Sequence, residues 1–388
     1  MSVNAGRIVA LARKEWREIV RDRIFFSLAF VLPVVLMFVF GYGISQDVEN
    51  MPLVVVDYDG TPSSRAYIDR YSHCEHFEFR GVVGSEREAE AMIARASARL
   101  MLVVGAGFED DLVSGRTATV QTFIDGSSVM TRIPRALEAY VDAINAAASA
   151  DLQVTWLSRR LGVPPARAAI LLRPVRLDVR YLYNPALESI WSVAPSLIMF
   201  VLVFVAPMLM ALGVVREKES GAIYNIYAST ITRGEFLLGK LVPNIAIAGV
   251  NAAVLWGIAT GYFGAPFHGS VACFAVGTFA YIVCTTSLGL VLSLAVRTQQ
   301  TTLMIASISG VILGFQYSGF FNPVQAMTGF PWLLAHAFPP MYYLDVIEGT
   351  FLKGMGFAGL WRELAALAGF ATLYLAISYA LFHKRGRA

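Results

Sequence analysis

Long apolar runs, separated by one large polar block, divide the chain into segments of membrane-spanning length. The first run, 24–44, contains no charged residue, and at about 1.5 Å per residue it crosses a hydrocarbon core of about 30 Å. Its length and the lack of a small-residue cleavage site favour a retained helix over a signal peptide. The pattern predicts a polytopic α-helical membrane protein with six transmembrane helices, at 24–44, 190–213, 242–263, 271–295, 301–321 and 364–382.

Basic side chains are concentrated on one side of these predicted spans. Residues 1–23 contain six Lys and Arg residues, the 214–241 loop contains four, and the 264–270 loop contains none. The positive-inside rule therefore predicts that both termini are cytoplasmic and that the 45–189 block lies outside. We expect a multi-pass protein of the bacterial inner (cytoplasmic) membrane, ending in a cytoplasmic tail at 383–388.

Residues 6–22, within the cytoplasmic segment 1–23, have the spacing of an amphipathic helix. Trp16 belongs to a mainly apolar face, while Arg13, Lys14 and Arg17 fall on the opposite face. Such a helix lies in the membrane interface with its apolar side toward lipid. The alternative interpretation is a basic flank that only holds the first span in place.

The polar block 45–189 is long enough for a domain with its own core. Residues 53–56 have the pattern of a short buried strand, followed by a turn and by Thr61 as the N-cap of a helix that begins at Pro62. Ser85 and Glu88 form a capping box for a second helix. The alternation predicts a mixed α/β extracytoplasmic domain between helices 1 and 2, with further strands at 100–104 and 117–124, a long helix at 128–160 and an extended segment at 175–183.

Three groups of polar residues in this block are candidates for chemistry. His73 and His76 have a spacing that suits a metal, but the sequence places no third ligand, so we expect surface histidines. Asp57 and Asp59 are expected to stabilise the turn after the strand rather than act as acid and base. Glu109–Asp111 supply negative charge to a first helical turn. We therefore predict neither a catalytic nor a metal site.

Composition narrows the class further. The chain is 56% hydrophobic and 15% charged, whereas soluble domains are about a quarter charged. Together with the long apolar runs, these values exclude disorder, collagen-like repeats, a coiled coil and a secreted disulfide scaffold. The net charge of +3 is too small to indicate nucleic-acid binding. Cys74, Cys273 and Cys284 are expected to be free thiols.

A transport protein needs an energy source, and the predicted spans hold no ionisable side chain between their ends. Gly234 and Gly239–Lys240 match most of a phosphate-binding Walker A loop, but Leu241 stands where a Ser or Thr is required. The match also opens a membrane span instead of following a buried strand. We therefore predict no nucleotide site and no cofactor in this chain, and a separate polypeptide that powers any transport.

The loop between the second and third spans, 214–241, has the most informative pattern. A mixed-charge turn at 216–219 leads into a short segment, 220–228, with apolar and aromatic side chains, and Thr232 with Glu235 forms a capping box for the third span. A partner protein could bind the aromatic side of this segment in a groove. The alternative is a short helix that lies on the lipid surface.

This loop, REKESGAIYNIYASTITRGEFLLGKLVP at 216–243, closely resembles that of ATP-binding-cassette (ABC) exporter permeases of the type-2 class. Tyr183-Asn184-Pro185 and the layout of one span, a large outside domain and five spans are similar too. DYDGTPSSR at 57–65 and TFIDGSS at 122–128 look like the drug-exporter-like, sodium-exporter-like branch. The resemblance covers essentially the whole chain.

The resemblance implies that 220–228 is a coupling helix that contacts a separate ABC ATPase subunit, which binds ATP and Mg. The N-terminal helix, with Arg13, Lys14, Trp16 and Arg17, would contribute to the same contact. The segment 222–225 is more aromatic than is usual in the family, which leaves open which ATPase it fits. The residues expected to couple are Arg216, Glu217, Lys218, Glu219, Gly221, Ile223, Tyr224, Ile226 and Tyr227.

The resemblance also implies that two six-span subunits, identical or paralogous, form the substrate pathway between spans two and five. A periplasmic adaptor protein is a further expected partner. Residues 322–358, rich in Pro and Gly, look like outer helices that re-enter the membrane, where protein or water must cover the freed backbone. Candidates for the pathway lining are Met199, Phe200, Phe204, Phe315, Gln316 and Phe320.

These patterns favour the permease subunit of an ABC exporter that moves an amphipathic or hydrophobic substrate by alternating access, without chemistry of its own. A membrane-anchored receptor or scaffold, whose outside domain binds a protein, is the alternative from another class. It would have no need of a capped aromatic segment at 220–228. A membrane enzyme would need a catalytic constellation in the outside domain, and the sequence offers none.

Overall fold

The computed structural model describes residues 4–44, 50–125, 133–162, 164–172, 182–185 and 188–382. Contacts divide the chain into two compact units. One consists of Met1–Ser45 with Tyr181–Ala388, and the other is Gln46–Arg180. The predicted tail at 383–388 and most of the predicted extended segment at 175–183 lie outside the described residues.

The secondary structure is dominated by helices. The strands are β1 (Met51–Asp57), β2 (Phe77–Val83), β3 (Leu100–Val104) and β4 (Val120–Ile124). In chain order the helices are α1 (Ala5–Arg21), α2 (Arg23–Gly43), α3 (Pro62–Ser72), α4 (Glu86–Ala94), α5 (Phe108–Val113), α6 (Ile133–Leu161), α7 (Pro165–Leu172), α8 (Ser189–Glu219), α9 (Ile223–Ala228), α10 (Arg233–Tyr262), α11 (Val271–Ala295), α12 (Gln299–Val311), α13 (Phe330–His336), α14 (Pro340–Phe351) and α15 (Phe357–Leu381).

Within the described residues, five helices are long and apolar enough to cross a membrane: α2, α8, α10, α11 and α15. They correspond to five of the six predicted spans. The remaining prediction, 301–321, covers most of α12 and a following π-helical turn, Ile312–Gln316. The chain is therefore a helical multi-pass membrane protein, and the count of six spans stays a prediction.

Helix α8 is the central helix of the membrane unit, because α2, α10, α11, α12 and α14 all pack against it. Its contact with α11 is close: a Cβ added to Gly289 would lie 2.6 Å from the Cα of Pro207. Only glycine lets the two backbones approach to this distance. Helix α2 is joined to α10 as well, since Asn251 Nδ2 donates a hydrogen bond of 2.8 Å to the Ala29 carbonyl in the π-helical turn Ser27–Val31.

The segment 322–358 forms short helices that begin at proline-containing turns. A 3₁₀ turn at Val324–Ala326 precedes α13 and α14. Tyr343 of α14 stacks on Tyr281 of α11 with 4.2 Å between the ring centroids, and its hydroxyl pairs with Thr278 Oγ1 at 2.8 Å. Helix α14 is thus part of the core of the membrane unit, while its depth in a bilayer stays a prediction.

The second unit is an α/β domain built on a four-stranded sheet of order β2-β1-β3-β4. Strand β1 is parallel to β2 and β3, and β4 is antiparallel to β3. Alternate residues of β1 enter two cores: Leu53 and Val55 pack with α3 and α6, whereas Val54 and Val56 pack with α4. Helices therefore cover both faces of the sheet.

Most local predictions for this unit are confirmed. Thr61 Oγ1 accepts a hydrogen bond from the backbone of Ser64, so it caps α3, and Ser85 caps α4 in the same way. Strand β3 has the predicted bounds, while β4 begins at Val120 and α6 at Ile133; the predicted helix start at 128 lies outside the described residues. The sequence did not predict β2, an edge strand that pairs with β1 through a bulge.

Candidate functional site

Helix α1 docks on the helices of the membrane unit. Its buried stripe consists of Leu11, Glu15 and Ile19, spaced four residues apart on one face. Asn4 caps the helix by accepting a hydrogen bond of 2.9 Å from the Gly6 backbone. Trp16, expected on the lipid-facing side, is 41% exposed and lies beside this stripe rather than in it. Helix α1 is therefore held by protein on one face.

Three charged residues, one each from α1, α8 and α10, meet where these helices pack together. Lys240 of α10 donates to Glu15 of α1 at 2.5 Å and lies 3.0 Å from the carboxylate of Glu217 of α8. Lys14 donates to the other oxygen of Glu217 at 2.6 Å. Lys240 is 1% exposed and Glu15 is 3% exposed, so these charges are shielded from water. We call Glu15, Glu217 and Lys240 the three-helix junction.

Charge balance explains why these groups tolerate burial. Burial raises the pKa of the Glu15 carboxyl, and the Lys240 ammonium opposes this effect. Burial acts to lower the pKa of Lys14, but the hydrogen bond to Glu217 and the nearby carboxylates outweigh it, so that the pKa is raised. Oxygen atoms of Glu15, Glu18 and Glu217 lie within 4.8 Å of one another, as metal ligands would. The two ammonium groups supply the positive charge at this point.

Further polar contacts fix the ends of neighbouring helices around the junction. Arg216 donates to Asp22 at 2.7 Å, which joins the end of α8 to the start of α2. Lys218 donates to the Ser293 carbonyl of α11, and Gln299 of α12 donates to Glu219 at 2.6 Å. The charged residues of 216–219 therefore fix the end of α8 against neighbouring helices of this chain. This role is separate from the predicted contact with an ATPase subunit.

The predicted capping box at the start of α10 is present and extends to α1. Thr232 Oγ1 accepts from the Glu235 backbone, and Glu235 accepts from the Thr232 backbone at 2.7 Å. Glu235 also accepts from the Asn4 backbone at 2.9 Å and lies 3.6 Å from Arg7. One buried carboxylate thus caps α10 and anchors the first turn of α1.

Helix α9 begins two residues after Gly221, whose φ of +76° permits the sharp turn that follows α8. Ile223, the first residue of α9, is buried, whereas Tyr224 is 70% exposed. The Ile226 and Tyr227 side chains lie outside the described residues. The sequence-predicted coupling residues therefore divide into a buried base, with Glu217 and Ile223, and an exposed part, with Tyr224, Arg216 and Glu219.

Gly239 is required for the contact between α10 and α1. A Cβ at this position would lie 2.6 Å from Leu11 Cδ2, whereas a Cβ at Gly249, on the same helix, would meet nothing within 4 Å. We expect Gly239→Ala to destabilise the protein by about 1–3 kcal/mol through overpacking. Gly249→Ala, the matched control, should be neutral or stabilising, since alanine favours a helix. Thermal unfolding in detergent measures both; equal melting temperatures for the two variants would contradict the assigned contact.

The Walker-like residues are part of this helical packing. Gly234 and Gly239 both lie within α10, and the Lys240 ammonium is engaged by Glu15 and Glu217. A phosphate-binding loop needs free backbone N–H groups and a lysine that reaches the phosphates. Gly239 and Lys240 of this match therefore have a structural role in the docking of α1.

Four of the predicted pathway residues form one aromatic cluster. Phe200 of α8 stacks on Phe315 with 3.9 Å between the ring centroids; Phe204 adjoins Phe200, and Phe320 adjoins Phe315. Met199 lies elsewhere in the core, since its carbonyl accepts from the hydroxyl of Tyr281. Gln316 is exposed. The cluster joins the segment after α12 to α8.

The candidates in the α/β unit have structural partners. Asp59 accepts from the backbone N–H groups of Gly107, Phe108 and Glu109 at 2.8–3.2 Å and from the Thr61 hydroxyl. The Thr61 hydrogen bond is the main cause of the lowered pKa of Asp59. Asp57 accepts from two backbone groups of its own turn. The contacts of Asp57 match the predicted turn-stabilising role, whereas the backbone bonds of Asp59 hold the N-terminus of α5.

The two histidines contact different neighbours. His73 Nδ1 lies 2.8 Å from the carbonyl of Asp69, and His76 stacks on Tyr140. Within the described residues, potential metal ligands gather in a group of three at Glu15, Glu18 and Glu217. Neither histidine belongs to this group.

Comparison with known proteins agrees with the sequence resemblance. Residues 23–380 match the model of the ABC-2 family transporter protein. The chain is 24% identical to "Probable multidrug ABC transporter permease YbhS" of Escherichia coli strain K12, over 90% of this chain and 89% of that relative. It is 25% identical to "Probable multidrug ABC transporter permease YbhR" of the same strain, over 98% and 99% of the two chains. The "Inner membrane transport permease YhhJ" of that strain is 20% identical over 86% and 85%.

The family match extends from the first residue of α2 almost to the end of α15, so it includes every helix of spanning length described above. The predicted resemblance to type-2 ABC permeases is confirmed. The chain therefore belongs to the ABC-2 family of transporter proteins, as a membrane permease of that class.

Proposed function

We propose that this chain is the permease subunit of an ATP-driven exporter that moves an amphipathic or hydrophobic substrate outward by alternating access. A separate ATPase subunit binds ATP with Mg²⁺, and a second permease, identical or paralogous, completes the pathway. The names of YbhS and YbhR as multidrug ABC transporter permeases support an apolar or amphipathic cargo. Both termini are cytoplasmic in this proposal, the α/β unit is extracytoplasmic, and an adaptor protein binds outside.

The observation that carries the proposal is the combination of an exposed helix α9 and a charged, rigid base. Tyr224 is largely exposed, while the residues around α9 are tied to α1, α10, α11 and α12 by ion pairs and hydrogen bonds. A force applied at α9 therefore reaches several spans at once. An aromatic side chain on a short helix is also suited to a groove on a partner.

Co-purification tests the proposal directly. The tagged chain is expressed with the ATP-binding-cassette ATPases of its own genome and isolated in a mild detergent. We expect a stoichiometric ATPase subunit to co-purify, with hydrolysis that responds to drug-like amphiphiles. An ATPase-free protein that instead captures an extracytoplasmic protein through its α/β unit would contradict the proposal and favour the receptor or scaffold.

A further inference from the structure

A groove of about 640 Å³ runs along α1 toward the start of α2. Five of its lining side chains are cationic and two are acidic. The acidic ones are Glu18 and Asp22. The cationic ones are Arg13, Lys14, Arg17, Arg21 and Arg216. The groove therefore has an excess of positive charge.

The excess comes from three arginines on one face of α1. Arg13, Arg17 and Arg21 are spaced four residues apart, so their side chains point along the same side of the helix. No ion pair within the described part of the chain involves any of the three, whereas Lys14 and Arg216 pair with Glu217 and Asp22. Like charges at this spacing repel one another, and a bound anion would remove that repulsion.

The groove lies where two spans end. Asp22 immediately precedes α2, and Arg216 belongs to the last turn of α8. Two apolar side chains in this part of the chain are exposed: Ile24, at the start of α2, is 72% exposed, and Trp16, on another side of α1 from the groove, is 41% exposed. Tryptophan is enriched where hydrocarbon meets water. Because the groove lies at the ends of two helices of spanning length, we expect it at the level of lipid headgroups, with the exposed Ile24 side of α2 available to acyl chains.

We propose that this groove binds the phosphate of an anionic phospholipid. Guanidinium groups bind phosphate oxygens with two parallel hydrogen bonds, and four of the five cations are arginines. Arg216 is pre-positioned, because it donates to Asp22 and lies 5.3 Å from the centre of the Phe25 ring. The acyl chains lie along the exposed side of α2 that begins at Ile24. Through Lys14 the bound phosphate adjoins the three-helix junction. This proposal does not depend on the proposed export function.

Native mass spectrometry of the full-length chain in a neutral detergent tests the site. The probes are phosphatidylglycerol, phosphatidylcholine and soluble glycerol phosphate. The variant is Arg13→Gln/Arg17→Gln/Arg21→Gln, which keeps Arg7, Lys14 and Arg23 as topology signals. The matched control, Arg87→Gln/Arg95→Gln/Arg167→Gln, removes the same charge from exposed positions of the α/β unit.

We expect the wild-type protein and the control to retain phosphatidylglycerol in preference to phosphatidylcholine. The α1 variant should lose about 100-fold in affinity for phosphatidylglycerol, because each cation near an anionic lipid contributes about a factor of five. The variant Arg13→Lys/Arg17→Lys/Arg21→Lys keeps the charge without the bidentate geometry and should bind with intermediate affinity. If the glutamine variant does not fold, the lysine variant still tests whether the arginine side chains contribute to lipid binding.

Three outcomes would overturn the proposal. Equal retention of phosphatidylglycerol by the α1 variant and the control would show that the lipid binds elsewhere. Glycerol phosphate that competes as strongly as the lipid would show a site for free phosphate. Unchanged lipid affinity combined with loss of an acidic protein partner would show a protein-docking surface.

Discussion

Lys240→Met is expected to destabilise the membrane unit by about 3–5 kcal/mol, the range for breaking a buried ion pair from one side. The substitution leaves Glu15 and Glu217 almost fully buried next to each other without the ammonium that lies between them. Lys14 still pairs with Glu217, but it is itself partly exposed. Thermal unfolding of the purified chain in detergent, followed by tryptophan fluorescence, measures the loss.

Two further variants separate charge from packing in this experiment. Lys353→Met removes an exposed partner of Glu348 and should change stability by less than about 1 kcal/mol. Glu15→Gln combined with Lys240→Met removes both members of the Glu15–Lys240 ion pair and should recover part of the loss, because one fewer charge is left unpaired. A Lys240→Met protein that melts like the Lys353→Met protein would refute the role of the three-helix junction.

Tyr224→Ala is expected to reduce stimulation of the partner ATPase by about tenfold or more, because exposed aromatic anchors at interfaces contribute about 2 kcal/mol each. The change removes a side chain that is largely exposed on α9, so the fold of the permease should be unaffected. The measurement is the hydrolysis rate of the reconstituted ATPase with each permease variant.

Tyr58→Ala is the matched control, since Tyr58 is an exposed tyrosine of the α/β unit. Full stimulation by the Tyr224→Ala permease would eliminate α9 as the coupling helix. A Glu217 substitution would not test ATPase coupling as cleanly, although the sequence also placed Glu217 among the coupling residues. Its carboxylate is buried between Lys14 and Lys240, so a substitution there alters stability as well as any coupling.

Sequence patterns correctly predicted helices and helix caps, which depend on residues that are close together in the chain. Apolar runs predicted five helices of spanning length, although α8 ends at Glu219 instead of 213, α10 begins at Arg233 instead of 242, and α15 begins at Phe357 instead of 364. Caps at Thr61, Ser85 and Thr232 were predicted because a hydroxyl side chain bonds a backbone group only three positions away. Strand β2 was missed although Phe77 to Arg80 alternate between apolar and polar residues, because Gly81 interrupts the pattern after only four positions.

The three-helix junction was beyond sequence reasoning because its members are distant in the chain. Glu15 and Lys240 are separated by 225 positions, and no local pattern links them. A signal was nevertheless present: Glu15 lies midway between Leu11 and Ile19, so an acidic residue stands within the apolar stripe of α1. A buried carboxylate requires a partner, and Lys240, next to an apolar run, was one of the candidate cations.

The π-helical turn Ser27–Val31 bears on how α2 tolerates changes in length. A π turn holds about one residue more than an α turn, so the residues that follow it are rotated by about 100° relative to an uninterrupted α-helix. Loss of a single residue within 27–31 would convert the turn into ordinary α-helix and leave the remaining side chains of α2 on their present faces. Loss of a residue after Leu32 would turn the end of the helix, including Phe40 against Phe200, away from its partners. Insertions and deletions among relatives should therefore gather at this turn.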